Sequence, residues 1–326
     1  SIQKSYMGIK HLNKFITSEC PSSIRNISLS ELSGKKIVVD ISIYMFKFSV
    51  DGGLVENMYI LMSVLKNYNI TPVFVFDGKS PYEKKELVQQ RRETRENMQK
   101  DYDKVQMDLT VEEDDDRKQE LITSLRSLSK KIVMIKNIDF DNVKKLITAF
   151  GFMYIDAPGE ADPLCAYLCL NGQVWGCLSD DMDMFVYGCP RVIRFLNLFK
   201  NTASLYDNAS ILSTLRVSQP EMRDICILSG TDYNVKSKHA ITLYQVLNLF
   251  KKYKKKQKGN HLSFSAWVMD NTEYIEDDTL FRQITRMFTL EDEYDLSNTK
   301  YNIKRSNYDS LVINEMLMGE GFIIPN

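Results

Sequence analysis

Four short apolar runs, separated by stretches with helical spacing, are the strongest constraint on how this chain folds. Each run is a continuous series of mostly β-branched and aromatic residues, which is the pattern of a strand buried on both faces. Strands of this kind that alternate with helices predict a mostly parallel sheet flanked by helices. The runs are residues 36–40, 72–77, 153–156 and 174–178.

Composition narrows the class of protein. The 326 residues are 44% hydrophobic and 26% charged, as expected of a folded globular chain. No apolar run approaches the roughly 20 residues of a membrane helix, so we expect no membrane-spanning segment. The 42 basic and 43 acidic side chains leave a net charge of −1, so any electrostatic preference must be local. The six cysteines form no Cys-x-x-Cys pair, which favours reduced thiols in an intracellular protein.

A long charged stretch separates the second apolar run from the third. Residues 82–107 carry charges on every side and few apolar residues, so a helix there cannot belong to a hydrophobic core. An acidic run, 112–116, and a second helix-forming stretch, 118–136, follow it. We predict a helical excursion from the core that projects into solvent or lines a charged channel.

Acidic residues follow several of the predicted strands or begin the next element. The carboxyl ends of parallel strands meet along one edge of a sheet, so these acids should converge. Without matching Lys or Arg they would repel one another, and hard divalent cations would relieve that repulsion. Oxygen ligands without His or Cys at metal spacing favour Mg²⁺ or Mn²⁺ over Zn²⁺. The seven candidates are Asp40, Asp77, Glu160, Asp162, Asp181, Asp183 and Asp232.

Each acid taken alone has a simpler interpretation. Asp and Glu stabilise the first turn of a helix, and for Glu160 this explanation is about as good as a ligand role. The argument for a metal site therefore rests on the joint pattern. The histidines His11, His239 and His261 are scattered along the chain, and we do not expect them to be ligands.

Six short motifs, which occur in order along residues 7–235, link the chain to a known family. They are residues 7–12, 39–44, 75–79, 157–162, 179–183 and 230–233. On these motifs the sequence resembles the flap endonuclease/XPG-type structure-specific 5′ nucleases. The resemblance implies a PIN-like α/β fold: a mostly parallel central sheet flanked by helices, with a helical arch insertion and a C-terminal helical DNA-binding region.

The resemblance also implies a mechanism that uses two Mg²⁺ ions, for which Mn²⁺ can substitute. One cluster would comprise Asp40, Asp77, Glu160 and Asp162, and the other Asp181, Asp183 and Asp232. Asp181 would take part in metal-assisted activation of the attacking water. Lys84 and Arg91 of the arch, seven residues apart and so on one helical face, would contact the same phosphate. The products would be a 5′-phosphate and a 3′-hydroxyl.

Further residues are implied as DNA contacts. Gly8 belongs to a segment close to the active site, and Tyr44 is either a platform for an unpaired base or an aromatic core residue. The family's glycine-containing duplex-binding turn has no counterpart, because no Gly occurs between Thr231 and Lys258. Lysine charge would replace it, although a lysine run is also commonly a solvated surface, and potassium binding is left open. The predicted lysine contacts are Lys130, Lys131, Lys236, Lys238, Lys254, Lys255 and Lys256.

Four regions follow from the motif order. Residues 7–110 would form an N-terminal nuclease region with the start of the arch, and 111–136 the rest of the arch. Residues 137–235 would form an internal nuclease region, and 236–326 a helical duplex-binding region with a C-terminal extension.

The sequence thus predicts a Mg²⁺-dependent 5′ endonuclease or exonuclease. Its substrate would be branched, gapped or nicked double-stranded DNA with a 5′ end or flap, in replication, repair or recombination. The alternatives are a catalytically inactive PIN-like scaffold in RNA regulation, which would lose carboxylates that are present here, and a 5′ exoribonuclease. No sliding-clamp peptide is found. The expected location is intracellular: the nucleus or, for a viral protein, the site of viral DNA replication.

Overall fold

A seven-stranded sheet forms the centre of the fold. The computed structural model describes residues 9–79, 84–233, 241–256, 262–290 and 307–321. The strands are β1 (Ile24–Ser28), β2 (Lys36–Asp40), β3 (Thr71–Phe76), β4 (Met153–Asp156), β5 (Gly176–Leu178), β6 (Arg191–Asn197) and β7 (Thr202–Asp207).

Helices lie between most of these strands and continue after the last of them. They are α1 (Leu12–Glu19), α2 (Ile41–Asp51), α3 (Leu54–Asn67), α4 (Lys85–Val111), α5 (Asp115–Ile132), α6 (Asn137–Ala149), α7 (Ala161–Leu170), α8 (Asp183–Tyr187), α9 (Asn208–Leu215), α10 (Gln219–Leu228), α11 (Leu243–Lys256), α12 (Phe264–Asn271), α13 (Asp278–Thr289) and α14 (Ser310–Gly319). The predicted C-terminal helical region is therefore helical in its described parts.

The strand order is β1-β7-β6-β5-β2-β3-β4. Strand β2 lies parallel to β3 and β5, as predicted from the buried apolar runs. Strand β5 also lies parallel to β6. Strands β6, β7 and β1 form an antiparallel extension that the sequence analysis missed. Polar residues interrupt the apolar residues of these strands, Arg25 and Asn26 in β1 and Arg191 and Arg194 in β6, and so break the continuous apolar pattern used to find the other strands.

All four predicted strands are present, with small differences in their bounds. Strands β2 and β4 have the predicted limits, β3 is shifted by one residue, and β5 begins at Gly176, two residues late. The expectation that β4 is buried on both faces is wrong. Tyr154 and Asp156, which alternate onto the same face of this edge strand, are both exposed, so that face is open to solvent.

The chain divides into two compact units. The first comprises Ser1–Asp40, Val64–Lys79 and Ile155–Ile303. Its core includes the side chains of β2 and β3, where Val38, Val39 and Phe74 are fully buried. The second comprises Ile41–Ser63, Ser80–Tyr154 and Lys304–Asn326. The four regions predicted from motif order stay a prediction.

Helices α4 and α5 pack against each other within the second unit, and neither contains a buried residue. The prediction that these charged stretches form helices outside a hydrophobic core is confirmed. Helix α5 begins earlier than predicted, within the acidic run, because the Asp114 side chain accepts a hydrogen bond of 2.9 Å from the Arg117 amide. Asp115 and Asp116 then lie in the first turn, where negative charge stabilises the helix. Among the described residues, no helix is long and apolar enough to cross a membrane.

Gly78 lies at the tightest backbone approach beside the end of β3. Its amide donates a hydrogen bond of 2.6 Å to the Gly159 carbonyl. A Cβ atom at this position would lie 2.1 Å from the carbonyl oxygen of Ala157 and 3.0 Å from that of Pro158. Because both obstacles are main-chain atoms, a side chain here would force the two segments apart.

We therefore expect Gly78→Ala to lower the free energy of unfolding by about 1–3 kcal/mol, the usual cost of overpacking. Gly319→Ala is the matched control, because a Cβ there meets nothing within 4 Å and the residue ends α14. That control should be neutral or stabilising by up to about 1 kcal/mol. Urea unfolding of both variants measures the difference, and equal midpoints would contradict the steric argument.

Candidate active site

Three neighbouring parallel strands bring acidic residues to one edge of the sheet. Asp40 is the last residue of β2 and pairs in register with Val75 of β3, and Asp77 follows β3 directly. Strand β5, on the other side of β2, ends at Leu178 and leads into residues 179–183. The strand order β5-β2-β3 thus gathers Asp40, Asp77 and the acids that follow β5, as the sequence predicted.

Ser179 connects the acids of β2 and β5. Its hydroxyl donates to Asp40 Oδ2 over 3.1 Å and accepts from the Asp181 amide over 3.1 Å. The Asp183 amide in turn donates to Asp181 Oδ1 over 2.8 Å. Asp40, Asp181 and Asp183 are only 3–5% exposed, so the donors to Asp40 and Asp181 stabilise carboxylates that are largely removed from water. Sequence reasoning included Ser179 in a motif but assigned it no role.

The start of α7 brings the acid after β3 to a second pair of acids. Glu160 occupies the N-cap position of α7, and Asp162 lies in its first turn. The Glu160 side chain makes no capping hydrogen bond, whereas Asp77 Oδ1 accepts a bond of 2.7 Å from the Ala161 amide. Asp77 therefore provides the cap, and the simple capping explanation does not account for the Glu160 carboxylate.

Two buried tyrosines lie against this acidic group. The Tyr233 hydroxyl donates to Glu160 Oε2 over 2.7 Å, and Tyr187 is hydrogen-bonded to Tyr233. Burial and the charge of Glu160 raise the pKa of Tyr233, so its hydroxyl keeps its proton and remains a donor. Phe288 covers both rings, at centroid distances of 4.7 Å from Tyr187 and 5.5 Å from Tyr233. Neither tyrosine was assigned a role from the sequence.

The electrostatic field of the acids extends to the same tyrosines. Burial raises the pKa of Tyr187 most, followed by the charges of Tyr233, Asp162 and Asp183. Asp162 and Asp183 thus act on one group although they lie on different helices. Asp232 precedes Tyr233 in the turn after α10 and is half-buried. The structure therefore places all seven predicted acids in the first unit. Hydrogen bonds connect Asp40 to the segment of Asp181 and Asp183, and connect Asp77 to the start of α7.

Oxygen donors alone make up this candidate metal site, which is the chemistry that Mg²⁺ and Mn²⁺ prefer. The seven acids therefore fit hard cations in kind. Within the described ranges, no three His, Cys, Asp or Glu side chains are arranged as a set that could hold a metal ion. Hydrogen bonds from amides and hydroxyls orient four of the seven carboxylates, those of Asp40, Asp77, Glu160 and Asp181.

The predicted phosphate contacts lie in the second unit. Lys84 is the residue before α4 and is largely buried, and Arg91 lies within α4 and is exposed. Lys130 and Lys131 form the exposed last turn of α5. Tyr44 is only 2% exposed and packs on Phe48 at 5.9 Å, so the structure places it as a core residue rather than an open stacking platform.

The predicted duplex-contact lysines differ in their surroundings. Lys254 forms an ion pair of 2.7 Å with Glu221 of α10, and the Lys256 ammonium lies 5.9 Å from the ring of Trp267. The charges of Lys254 and Lys256 are thus partly satisfied by contacts within the protein. Lys255 is exposed. Gly8, Lys236 and Lys238 lie outside the described residues.

Comparison with known proteins identifies the group to which this architecture belongs. The XPG N-terminal domain model matches residues 7–98, and the XPG I-region model matches residues 151–232. Together they cover more than half of the chain. A flap endonuclease 1 from Methanococcus aeolicus is 29% identical over 318 residues, which are 93% of this chain and 89% of that protein.

Solved structures show the same fold. The catalytic core of Rad2 in complex with DNA substrate superposes with a TM-score of 0.63 at 23% identity, covering 97% of this chain and 95% of that one. Flap endonuclease-1 from Methanococcus jannaschii superposes with a TM-score of 0.57 at 23% identity, covering 92% and 97% of the two chains. At these identities the likeness shows the fold alone, and it confirms the predicted PIN-like nuclease core. With both XPG models in their expected order, the chain belongs to the flap endonuclease/XPG-type nuclease family.

Proposed function

We propose that this protein is a structure-specific 5′ nuclease that hydrolyses phosphodiester bonds of DNA at flaps, gaps, nicks, junctions or 5′ ends. The observation that carries the proposal is the convergence of oxygen-only ligands at the carboxyl edge of β5, β2 and β3. Relatives named flap endonuclease 1 and a Rad2 core solved with DNA substrate support the substrate class. The reaction would serve DNA replication, repair or recombination.

Two divalent cations, Mg²⁺ or in its place Mn²⁺, would bind among the seven acids. The first set is Asp40, Asp77, Glu160 and Asp162, and the second is Asp181, Asp183 and Asp232. When bound, such ions would lower the pKa of the attacking water and stabilise the leaving oxygen. The protein's own contribution is to orient the carboxylates: Ser179 spans Asp40 and the Asp181 amide, and Tyr233 holds Glu160.

Lys84 and Arg91 would contact the scissile phosphate. The guanidinium of Arg91 offers a planar fork that matches two phosphate oxygens, whereas Lys84 offers a single point charge. Lys130 and Lys131 would contact the DNA backbone. Gly8, Lys236 and Lys238 keep the DNA-contact roles predicted from the sequence.

Two other functions would use the same fold. A catalytically inactive scaffold in RNA regulation has no need of the acids that converge here, and this convergence favours the enzyme. A 5′ exoribonuclease would cut RNA in preference to DNA, so an RNA arm in the substrate panel distinguishes it. The protein would act where DNA is replicated, in the nucleus or at a site of viral DNA replication.

The carboxylate of Asp181 provides the first test of catalysis. We expect Asp181→Ala to reduce single-turnover cleavage of a labelled flap substrate by about 100-fold or more, since even outer-shell partners of metals are worth about 10–100-fold. The dissociation constant for DNA should change only a few-fold, because DNA binding rests on Lys and Arg elsewhere. The substrate panel comprises flap, gapped, nicked, junction and single-stranded DNA, with matched RNA.

Asp156→Ala is the matched control for this variant, because Asp156 also ends a strand of the sheet but is exposed and outside the predicted set. It should cut at the wild-type rate. EDTA should abolish cleavage by the wild type. Cleavage that persists in EDTA, or an Asp181→Ala variant as active as the control, would exclude the metal mechanism.

The role of Arg91 can be separated from general positive charge. We expect Arg91→Ala to lower the single-turnover rate at saturating DNA by about 10²-fold, the typical loss when a donor to the transition state is removed. Arg92→Ala is the control, since Arg92 lies on the same helix and pairs with Glu96 at 2.9 Å. It should retain the rate within about two-fold. Equal losses in both variants would assign Arg91 to nonspecific attraction.

Exposed lysines of α11 provide a test of duplex binding. Lys251, Lys252 and Lys255 lie on the solvent side of α11, away from its buried residues, and leave the Lys254 ion pair intact. Replacing all three by Gln should reduce the steepness with which the DNA-binding constant falls with salt. The slope of log K against log salt concentration should become less negative by up to about 2.7, because each phosphate contact contributes about 0.9. The triple Arg variant keeps the charge and should keep the slope. An unchanged slope in the Gln variant would make this face a solvated surface.

A further inference from the structure

Arg194 is a buried cation in the first unit to which the proposed mechanism gives no role. It lies in β6, is 4% exposed, and precedes an irregularity in the pairing of β6 with β7. Arg194 pairs with Ser204 and Asn197 with Thr202, so β6 contains one extra residue between these pairs. Such a bulge changes the direction of the side chains around it and is frequent beside active sites.

The bulge requires an unusual backbone conformation. Phe195 has a φ of 53°, in the left-handed region that non-glycine residues adopt only at a cost. This conformation lets the Phe195 amide donate to the Asp180 side chain, at Oδ1, over 2.8 Å. The strained residue therefore makes a specific contact with the segment after β5.

The guanidinium of Arg194 also binds Asp180, the residue that accepts the Phe195 amide. Its Nη2 donates to the Asp180 carbonyl over 2.6 Å, and its Nη1 donates to Asn13 Oδ1 over 2.5 Å. The rings of Phe195 and Tyr206 lie 4.6 Å and 5.3 Å from the guanidinium carbon, and the Tyr206 hydroxyl also donates to Asn13. Both the main chain and the side chain of Asp180 are thus restrained.

Asp180 lies between the two residues that organise the acidic edge. Ser179 bonds to Asp40, and Asp181 accepts the Asp183 amide. A displacement of the Asp180 carbonyl would therefore move Ser179 and Asp181 together. Burial lowers the pKa of Arg194, while the charges of Tyr206, Asp180 and Asp181 raise it, and an arginine remains protonated in proteins. Among the described residues Arg194 forms no ion pair, and its hydrogen bond to the Asp180 carbonyl places its charge beside the acidic segment.

We propose that Arg194 is a positioning residue, which with the Phe195 amide clamps Asp180 and so fixes Asp181 and Asp183 for cation binding. The inference rests on the proposed nuclease function. It assigns to Arg194 two effects: the geometric restraint through Nη2, and a fixed positive charge that reduces repulsion between the carboxylates. A purely structural arginine would contribute to folding only, and its loss would leave cation binding unchanged.

Arg191 provides a matched control on the same strand. Its Nη1 donates to the Trp175 carbonyl over 3.2 Å, and its guanidinium carbon lies 5.1 Å from the Trp175 ring. Arg191 and Arg194 thus each donate to a main-chain carbonyl and pack on an aromatic ring. They differ in that Arg194 contacts the acidic segment.

The test compares Arg194→Met, Arg194→Lys and Arg191→Met in the full-length protein. Mn²⁺ binding is measured by isothermal titration calorimetry without DNA, and the Mg²⁺ concentration for half-maximal single-turnover cleavage is measured on a flap substrate. Arg194→Met should weaken Mn²⁺ binding and raise the half-maximal Mg²⁺ concentration by about 10-fold or more, the scale of outer-shell losses. Arg194→Lys keeps the positive charge but lacks the planar guanidinium, so both of its values should lie between those of the wild type and Arg194→Met. Arg191→Met should leave both values unchanged, and DNA affinity should change in none of the three.

Three results would overturn the positioning role. The first is wild-type metal dependence in Arg194→Met. The second is an equal change in Arg191→Met. The third is loss of folding, seen by circular dichroism, in both Arg194 variants, which would assign the residue to stability alone; if Arg194→Met alone fails to fold, Arg194→Lys decides. A wild type that neither binds Mn²⁺ nor cuts DNA would refute the proposed function instead.

Discussion

Repulsion between carboxylates is the constraint on which the first unit depends. Parallel strands place acids at a common edge, and three of these acids, Asp40, Asp181 and Asp183, are almost fully buried. Charges in such surroundings are costly unless donors or cations stabilise them. The contacts around them are therefore explained by one requirement, which is to hold like charges at fixed positions.

The protein meets this requirement with donors of several kinds. Main-chain amides at the start of helices α7 and α8 bind Asp77 and Asp181, and the Ser179 hydroxyl and the Tyr233 phenol bind Asp40 and Glu160. Three of these four contacts join residues 73 to 139 positions apart in sequence, so the complete fold is needed to assemble them. Preorganisation of this kind lets a site bind charge without rearranging at the moment of reaction.

Much of the fold could be predicted from the sequence, because a buried parallel strand has a recognisable local pattern of apolar residues. The runs that became β2, β3, β4 and β5 are continuous and apolar, and the charged helices between them have no core face. Antiparallel strands β6, β7 and β1 were missed because polar residues interrupt their apolar runs. For Tyr44 the sequence left open a core role and a stacking role, because a sequence does not show whether an aromatic ring is buried or exposed. In the structure Tyr44 packs on Phe48.

The sequence by itself determined the family, which six ordered motifs indicate, and the set of seven acids at strand ends and helix starts. Only the tertiary structure decided which donors orient those acids. Ser179, Tyr233 and Arg194 act through contacts that span 73 to 139 residues in two cases and a strand bulge in the third. No local pattern encodes such contacts, because hydrogen bonds between distant segments depend on the packing of the whole unit rather than on neighbouring residues.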